Sequence, residues 1–198
     1  MLKMLENTAY ILLAYLLGSI PFGLILSNLF GKGNLCETGS KSIGATNVLR
    51  TQGKSLGFLT FLLDFLKGFA VCYCFHSDNG LMNSAFVALP VFGHMFPVWL
   101  KFNGGKGIAT YFGVLCALDV YVLLAALLVW LAVFAIWKFS SLSGLVSVIS
   151  SCAFFYFMDH SSLHFLNRWC ALIVVVVVII IRHHENIKRL WNNEELKA

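Results

Sequence analysis

Apolar residues run through this chain in seven blocks separated by short polar breaks: 8–30, 56–75, 85–100, 108–118, 120–137, 145–158 and 169–181. The fourth and fifth are parted by Asp119 alone, and the last includes an uninterrupted apolar run from Ile173 to Ile181. A helix that crosses about 30 Å of hydrocarbon needs roughly 20 mostly apolar residues. Each block therefore predicts a transmembrane helix, with the fourth and sixth the shortest. The expected fold is all-α: a polytopic membrane protein of seven transmembrane helices, forming one integral-membrane domain over residues 1–198. Seven crossings leave little chain for a soluble domain, so the chemistry must sit in short loops and at helix ends.

Composition strengthens this picture. Of the 198 residues, 59% are hydrophobic and only 12% charged, where a soluble domain carries about 25% charged residues. Mean hydropathy is +0.82. These values exclude a disordered chain, a nucleic-acid-binding module and a disulfide-stapled secreted scaffold. Lipid is the solvent they point to.

The net charge of +5 matters less than where the charges fall. Lys32, Lys41, Arg50, Lys54, Lys101, Lys106, Lys138, Arg182, Lys188, Arg189 and Lys197 all lie in segments on one side of a seven-span topology. The other side has Lys3 and Arg168, and Lys67 lies inside the second block. The positive-inside rule then predicts an outside amino terminus and a cytoplasmic carboxyl terminus. No A-x-A-like cleavage site follows Gly18 and Ser19, and the apolar run continues to Phe30, so the first block reads as a span and not as a secretory signal. The six cysteines show no C-x-x-C spacing and the six histidines no H-E-x-x-H, so no metal or cofactor is expected.

Three polar clusters on the basic side carry the candidate chemistry. In the loop 31–55, Gly44 and Ala45 allow backbone N–H groups to approach a ligand, and a helix starting there would turn its positive end toward an anion. Ser40, Thr46 and Asn47 add neutral hydrogen-bonding groups, and Arg50 adds a planar fork suited to phosphate. The alternative is an ordinary basic cytoplasmic loop. The second cluster, Phe102-Asn103-Gly104-Gly105-Lys106-Gly107, sets three glycines around one lysine just before the fourth block, a backbone nest with a point charge. A tight turn explains one or two of those glycines better than three. In the third, Arg182-His183-His184-Glu185-Asn186, His183 and Asn186 share a face if the last helix continues, and histidine exchanges a proton readily near neutral pH. The bland reading of this cluster is a basic anchor at the headgroup level.

Within the blocks, Asp64 and Lys67 at i, i+3 predict an internal ion pair near the cytoplasmic end of the second helix, and His94 either lines the site or, the favoured reading, bonds to a neighbouring helix. Other motifs fail on spacing. Gly53-Lys54-Ser55 resembles the end of a P-loop, but Val48 stands at its first glycine. Neither His94 nor His160 is followed five residues on by an acid, and Ser141 replaces the glycine an intramembrane protease needs two before Ser143.

Together the clusters resemble the bacterial acyl-phosphate:glycerol-3-phosphate acyltransferases, small polytopic enzymes of the inner membrane. The resemblance covers nearly the whole chain. It takes in Gly18-Ser19-Ile20-Pro21-Phe22-Gly23, Asp64-Phe65-Leu66-Lys67-Gly68 and Gly93-His94-Met95-Phe96-Pro97 as well as the three polar clusters. It implies transfer of an acyl chain from acyl phosphate to the 1-hydroxyl of glycerol 3-phosphate, giving lysophosphatidic acid and phosphate, at the cytoplasmic face. It also implies that Ser40, Arg50 and Lys106 hold substrate phosphate, that residues 44–47 face the acyl phosphate, and that His183 and Asn186 lie beside the reacting groups. The implied partners are those two substrates and membrane lipid, with no nucleic acid and no cofactor. Lys41-Ser42 stand where the family usually has Gly-Asn, Asn103 where a basic residue is common, and His184 where arginine is common. The rival from another class is a small transporter or channel for an anionic solute. It calls for an inverted repeat and polar residues near the midplane, whereas the polar groups here gather on one face.

Overall fold

The computed structural model describes residues 2–75, 77–158 and 164–197, with side chains from Glu6 onward; His76 and His160 lie outside the described residues. Each apolar block is helical. The helices are α1 (Leu2–Gly18), α2 (Phe22–Leu29), α3 (Ala45–Gln52), α4 (Lys54–Cys74), α5 (Gly80–Met95), α6 (Ile108–Leu118), α7 (Val120–Trp137), α8 (Ser140–Met158), α9 (Phe165–Arg182) and α10 (His184–Trp191). No strand occurs among the described residues.

By length and composition, five helices reach across a bilayer, and six if α1 and α2 count as one bent span. The first block does not form one straight helix. Pro21 has no N–H to give and disfavours helical backbone at Ile20, and the two halves meet at 47°. The fourth block yields only the 11 residues of α6, about 17 Å of helix, which falls short of the bilayer by this measure. It ends at Asp119, whose side chain accepts from the amides of Tyr121 (2.7 Å) and Val122 (3.2 Å) and so caps α7. The sixth block extends backward to Ser140, longer than its apolar run.

The core lies among α5, α6, α8 and α9, where Val91, Met95, Tyr111, Leu115, Val148, Val175 and Ile179 are buried together. Outward-facing Leu128, Ile136, Phe157 and Val174 are apolar and exposed, the arrangement expected where lipid replaces water. Without a hydrophobic force between helices in lipid, association depends on close packing through small residues. α4 meets α6 in this way: a Cβ on Gly68 would overlap the Thr110 carbonyl, and one on Gly113 the Phe65 carbonyl. Gly18 and Gly93 do the same for α1 and α5, against the backbones of Pro90 and Tyr15. Gly113→Leu should push α4 and α6 apart and cost about 1–3 kcal/mol or more. Thermal unfolding in detergent checks this; an unshifted Tm would contradict it.

A buried ion pair within the spans ties three segments together. Lys67 Nζ lies 2.8 Å from Asp64 Oδ1, and donates to the Ile20 carbonyl and to His94 Nδ1, each at 2.9 Å. The ammonium is thus met by a carboxylate and two hydrogen-bond acceptors, as a charge at membrane depth requires. The pair was expected near a helix end but sits midway along α4. His94 is bonded to the neighbouring helix, as its position predicted.

Candidate functional site

The polar clusters close on one cavity of about 560 Å3. Ser40, Gly44, Ala45, Thr46, Asn47, Arg50, Lys106, His183 and Asn186 all line it. Its other wall is apolar, built from Phe58, Phe61, Leu127, Trp130, Leu131 and Phe134. Phe58 and Leu131 are themselves exposed on the outer surface, so the apolar end opens where lipid chains would lie.

Two helix N-termini border the polar end. α3 starts after Gly44, which has extended backbone and offers no side-chain cap. α6 starts after Gly107, whose φ of +89° a side chain would disfavour. The first-turn amides of a helix have no partners within it, and its dipole favours an anion at that end. The loop before α6 is pinned from three directions. Gly104 and Gly105 donate to the carbonyls of Met95 (3.1 Å) and His94 (3.0 Å), and Arg182 donates to the Gly104 carbonyl at 2.7 Å. Lys106 is thereby carried to the cavity by fixed backbone, and it makes no hydrogen bond or ion pair among the described residues. Burial, reinforced by Arg189, Arg50 and Arg182, outweighs the attraction of Glu195 and brings its pKa down to about 8. A half-buried cation with no close partner is a site poised for an anion.

Asn47 is spent differently. Its Oδ1 accepts from the Ser40 amide at 2.8 Å, and its Nδ2 faces the carbonyls of Ser42 (2.8 Å), Thr38 (3.1 Å) and Leu35 (3.2 Å). Although it lines the cavity, its amide ties the loop around α3. Thr46 Oγ1 pairs with Ser140 Oγ at 3.1 Å.

The last helix does not continue past Arg182 as expected. It breaks at His183, whose φ and ψ of −96° and 7° lie outside regular helix. The break leaves both His183 and Asn186 against the cavity, each 2% exposed. His183 Nδ1 lies 2.8 Å from the Ile179 carbonyl. A carbonyl only accepts, so Nδ1 carries the hydrogen and Nε2 keeps a lone pair. Burial, helped by Lys106 and Arg182, pulls the His183 pKa down to about 4 despite the Ile179 bond and Glu195. The imidazole is neutral at physiological pH.

Asp64 and His94, singled out in the sequence for an ion pair and an interhelix bond, also line the cavity, and so do three residues that no motif marked: Ser140, Ser141 and Glu195. Ser140 and Ser141 left a faint signal, as the polar start of a helix whose apolar run begins at Leu145. Glu195 left none. Burial pushes its carboxyl up, but hydrogen bonds from Asn186, Arg189 and Ser141 and the charge of Arg189 outweigh that and hold its pKa below the usual glutamate value.

A family model described as glycerol-3-phosphate acyltransferase matches residues 8–193. A glycerol-3-phosphate acyltransferase of Wolbachia sp. subsp. Brugia malayi (strain TRS) is 43% identical over 196 residues, covering 98% of this chain and 99% of its own. One from Rhodopseudomonas palustris (strain HaA2) is 45% identical over 190 residues, covering 96% and 94%. Among solved structures, PlsY, an integral membrane glycerol 3-phosphate acyltransferase, superposes in its glycerol 3-phosphate form with a TM-score of 0.88 at 38% identity, over 98% of this chain and 96% of that one. Its lysophosphatidic acid form gives 0.86 over 97% and 95%. With sequence and fold both matched from end to end, the chain belongs to the glycerol-3-phosphate acyltransferase family of integral membrane enzymes.

Proposed function

We propose that this enzyme takes its acyl group from acyl phosphate and transfers it to the 1-hydroxyl of glycerol 3-phosphate, releasing lysophosphatidic acid and inorganic phosphate. The observation that carries this reading is the two-ended cavity: a cationic end at two helix N-termini, continuous with an apolar wall open to lipid. Two phosphate-bearing substrates, one with a fatty tail, match that division. The glycerol 3-phosphate and lysophosphatidic acid forms of PlsY lend further support.

Acyl phosphate is already activated, so the protein need supply positioning and charge stabilisation, with no covalent nucleophile. Lys106, Arg50 and Ser40, with the amides at Ala45 and Thr46 beside the bare backbone of Gly44, hold the phosphates, while Asn47 keeps the loop in shape. Asn186 and His183 flank the acceptor hydroxyl. The hydroxyl oxygen attacks the acyl carbonyl carbon, and its proton passes to His183 Nε2. The carbonyl carbon's bond to the phosphate oxygen then breaks, and phosphate leaves with the electron pair beside Lys106. A pKa of about 4 makes His183 a weak base, and the negative charge of two bound phosphates raises it when the substrates are in place. The single domain 1–198 sits in the bacterial inner membrane, with the first block outside-in, seven crossings including short α6, and the site on the basic, cytoplasmic side.

The donor is tested by presenting palmitoyl phosphate or palmitoyl coenzyme A at equal concentration to the purified enzyme with glycerol 3-phosphate. Product from palmitoyl phosphate alone is expected; product from the thioester alone would overturn the assignment. The pH profile of kcat/KM, which reports the free enzyme, should fall on the alkaline side near 8. Lys106 carries its charge below its pKa of about 8 and loses it above, whereas phosphate monoesters finish ionising near about 6. Lys106→Arg should move that limb upward; a limb unmoved by the change would assign it to another group.

A further inference from the structure

The segment after α10 turns back into the site. Asn193 takes a left-handed φ of +58°, the Glu194 amide donates to the Arg189 carbonyl at 2.7 Å, and Arg50 donates to the carbonyls of Leu196 (2.7 Å) and Lys197 (3.2 Å). Glu195 is thereby carried against the cavity with its side chain 2% exposed. Its Oε1 accepts from Asn186 Nδ2 at 2.7 Å and from Ser141 Oγ at 2.8 Å, and its Oε2 accepts from Arg189 Nε at 2.8 Å.

A carboxylate can only accept, so it dictates which end of the Asn186 amide faces it. The NH2 group must point to Glu195, and Oδ1 must point away. Asn186 Oδ1 is buried and has no hydrogen-bond partner among the described residues. A buried oxygen left without a donor is costly, and in a cavity wall it marks where a ligand's O–H belongs. We propose that Glu195 is a positioning residue for the acyl transfer: it fixes the amide of Asn186 so that Oδ1 accepts a hydrogen bond from glycerol 3-phosphate and orients the hydroxyl for attack. This rests on the reaction proposed above. Without the carboxylate the amide turns over freely, and its NH2 group then competes for the lone pair that must attack the carbonyl.

The test is a double-mutant cycle on Glu195→Gln and Asn186→Asp, with Tm measured for every variant. Glu195→Gln should lower kcat by about tenfold or more while the KM for palmitoyl phosphate stays within about twofold. Asn186→Asp alone sets two carboxylates against each other and should also lose activity. In the double variant the amide and the carboxylate have exchanged places: the amide introduced at position 195 can donate to one oxygen of the carboxylate introduced at position 186 and leave the other oxygen facing the hydroxyl. Its kcat should therefore exceed the product of the two single effects by about tenfold. A purely structural role for Glu195 predicts no such rescue, and simple additivity would overturn the proposal. So would wild-type kcat in Glu195→Gln, or a gain in activity, which would make the carboxylate a competitor for substrate. If Glu195→Gln does not fold, Glu195→Asp keeps the charge and withdraws it from Asn186 by one methylene; the same loss is expected, and wild-type kcat would overturn the proposal. The wild-type control separates the two levels: if it yields no lysophosphatidic acid, the reaction and the positioning role fall together, whereas an active wild type beside an unaffected variant removes the positioning role alone.

Discussion

Lys106→Ala should lower kcat/KM by about 10²–10³ without unfolding the protein. The ammonium has no protein partner among the described residues, so its removal breaks no native hydrogen bond and relieves a half-buried charge. What is lost is attraction for phosphate, both on binding and as negative charge builds on the leaving group. Arg50, anchored by two hydrogen bonds to the chain near Leu196, has its remaining N–H groups for its own phosphate contact and does not replace the missing ammonium. Steady-state kinetics beside a Tm measurement checks the prediction. Near-normal kcat/KM in a folded variant would mean that Lys106 serves only as a cytoplasmic anchor charge.

His183→Ala should lower kcat by about 10²–10⁴, the range for loss of a positioned general base. Three features support this role: the imidazole is buried, its Nδ1–H is held by the Ile179 carbonyl, and its Nε2 lone pair is left for the cavity. His183→Gln is the informative companion, since its amide can still hydrogen-bond but takes no proton, and it should be as slow as alanine. A loss of only about tenfold in both would instead assign proton acceptance to the departing phosphate of the donor.

The hydrophobic blocks were legible because lipid demands long apolar runs, and the structure makes each of them helical. Their lengths were less so. The stop of α6 before Asp119 was legible, but the bend at Pro21 depends on one residue, and α8 begins five residues before its apolar run, at Ser140 and Ser141, which line the cavity. The polar clusters stood out since phosphate chemistry needs small residues and cations together. Their detailed geometry did not. Asn47 has the composition of a ligand, yet its amide holds Leu35, Thr38, Ser40 and Ser42 in place. His183 and Asn186 reach the cavity across a helix break and not along one helical face. Glu195 was invisible because its position depends on the turn at Asn193 and on contacts to Arg189 and Asn186, none of which has a periodic signature.

On the proposed reaction, one two-ended cavity joins an acyl phosphate to glycerol 3-phosphate. The most direct measurement follows inorganic phosphate and lysophosphatidic acid together, using purified protein in lipid given palmitoyl phosphate with and without glycerol 3-phosphate. One phosphate should be released for each lysophosphatidic acid formed, with no release above the spontaneous rate without the acceptor. Phosphate release independent of glycerol 3-phosphate, or no lysophosphatidic acid from folded protein, would contradict it.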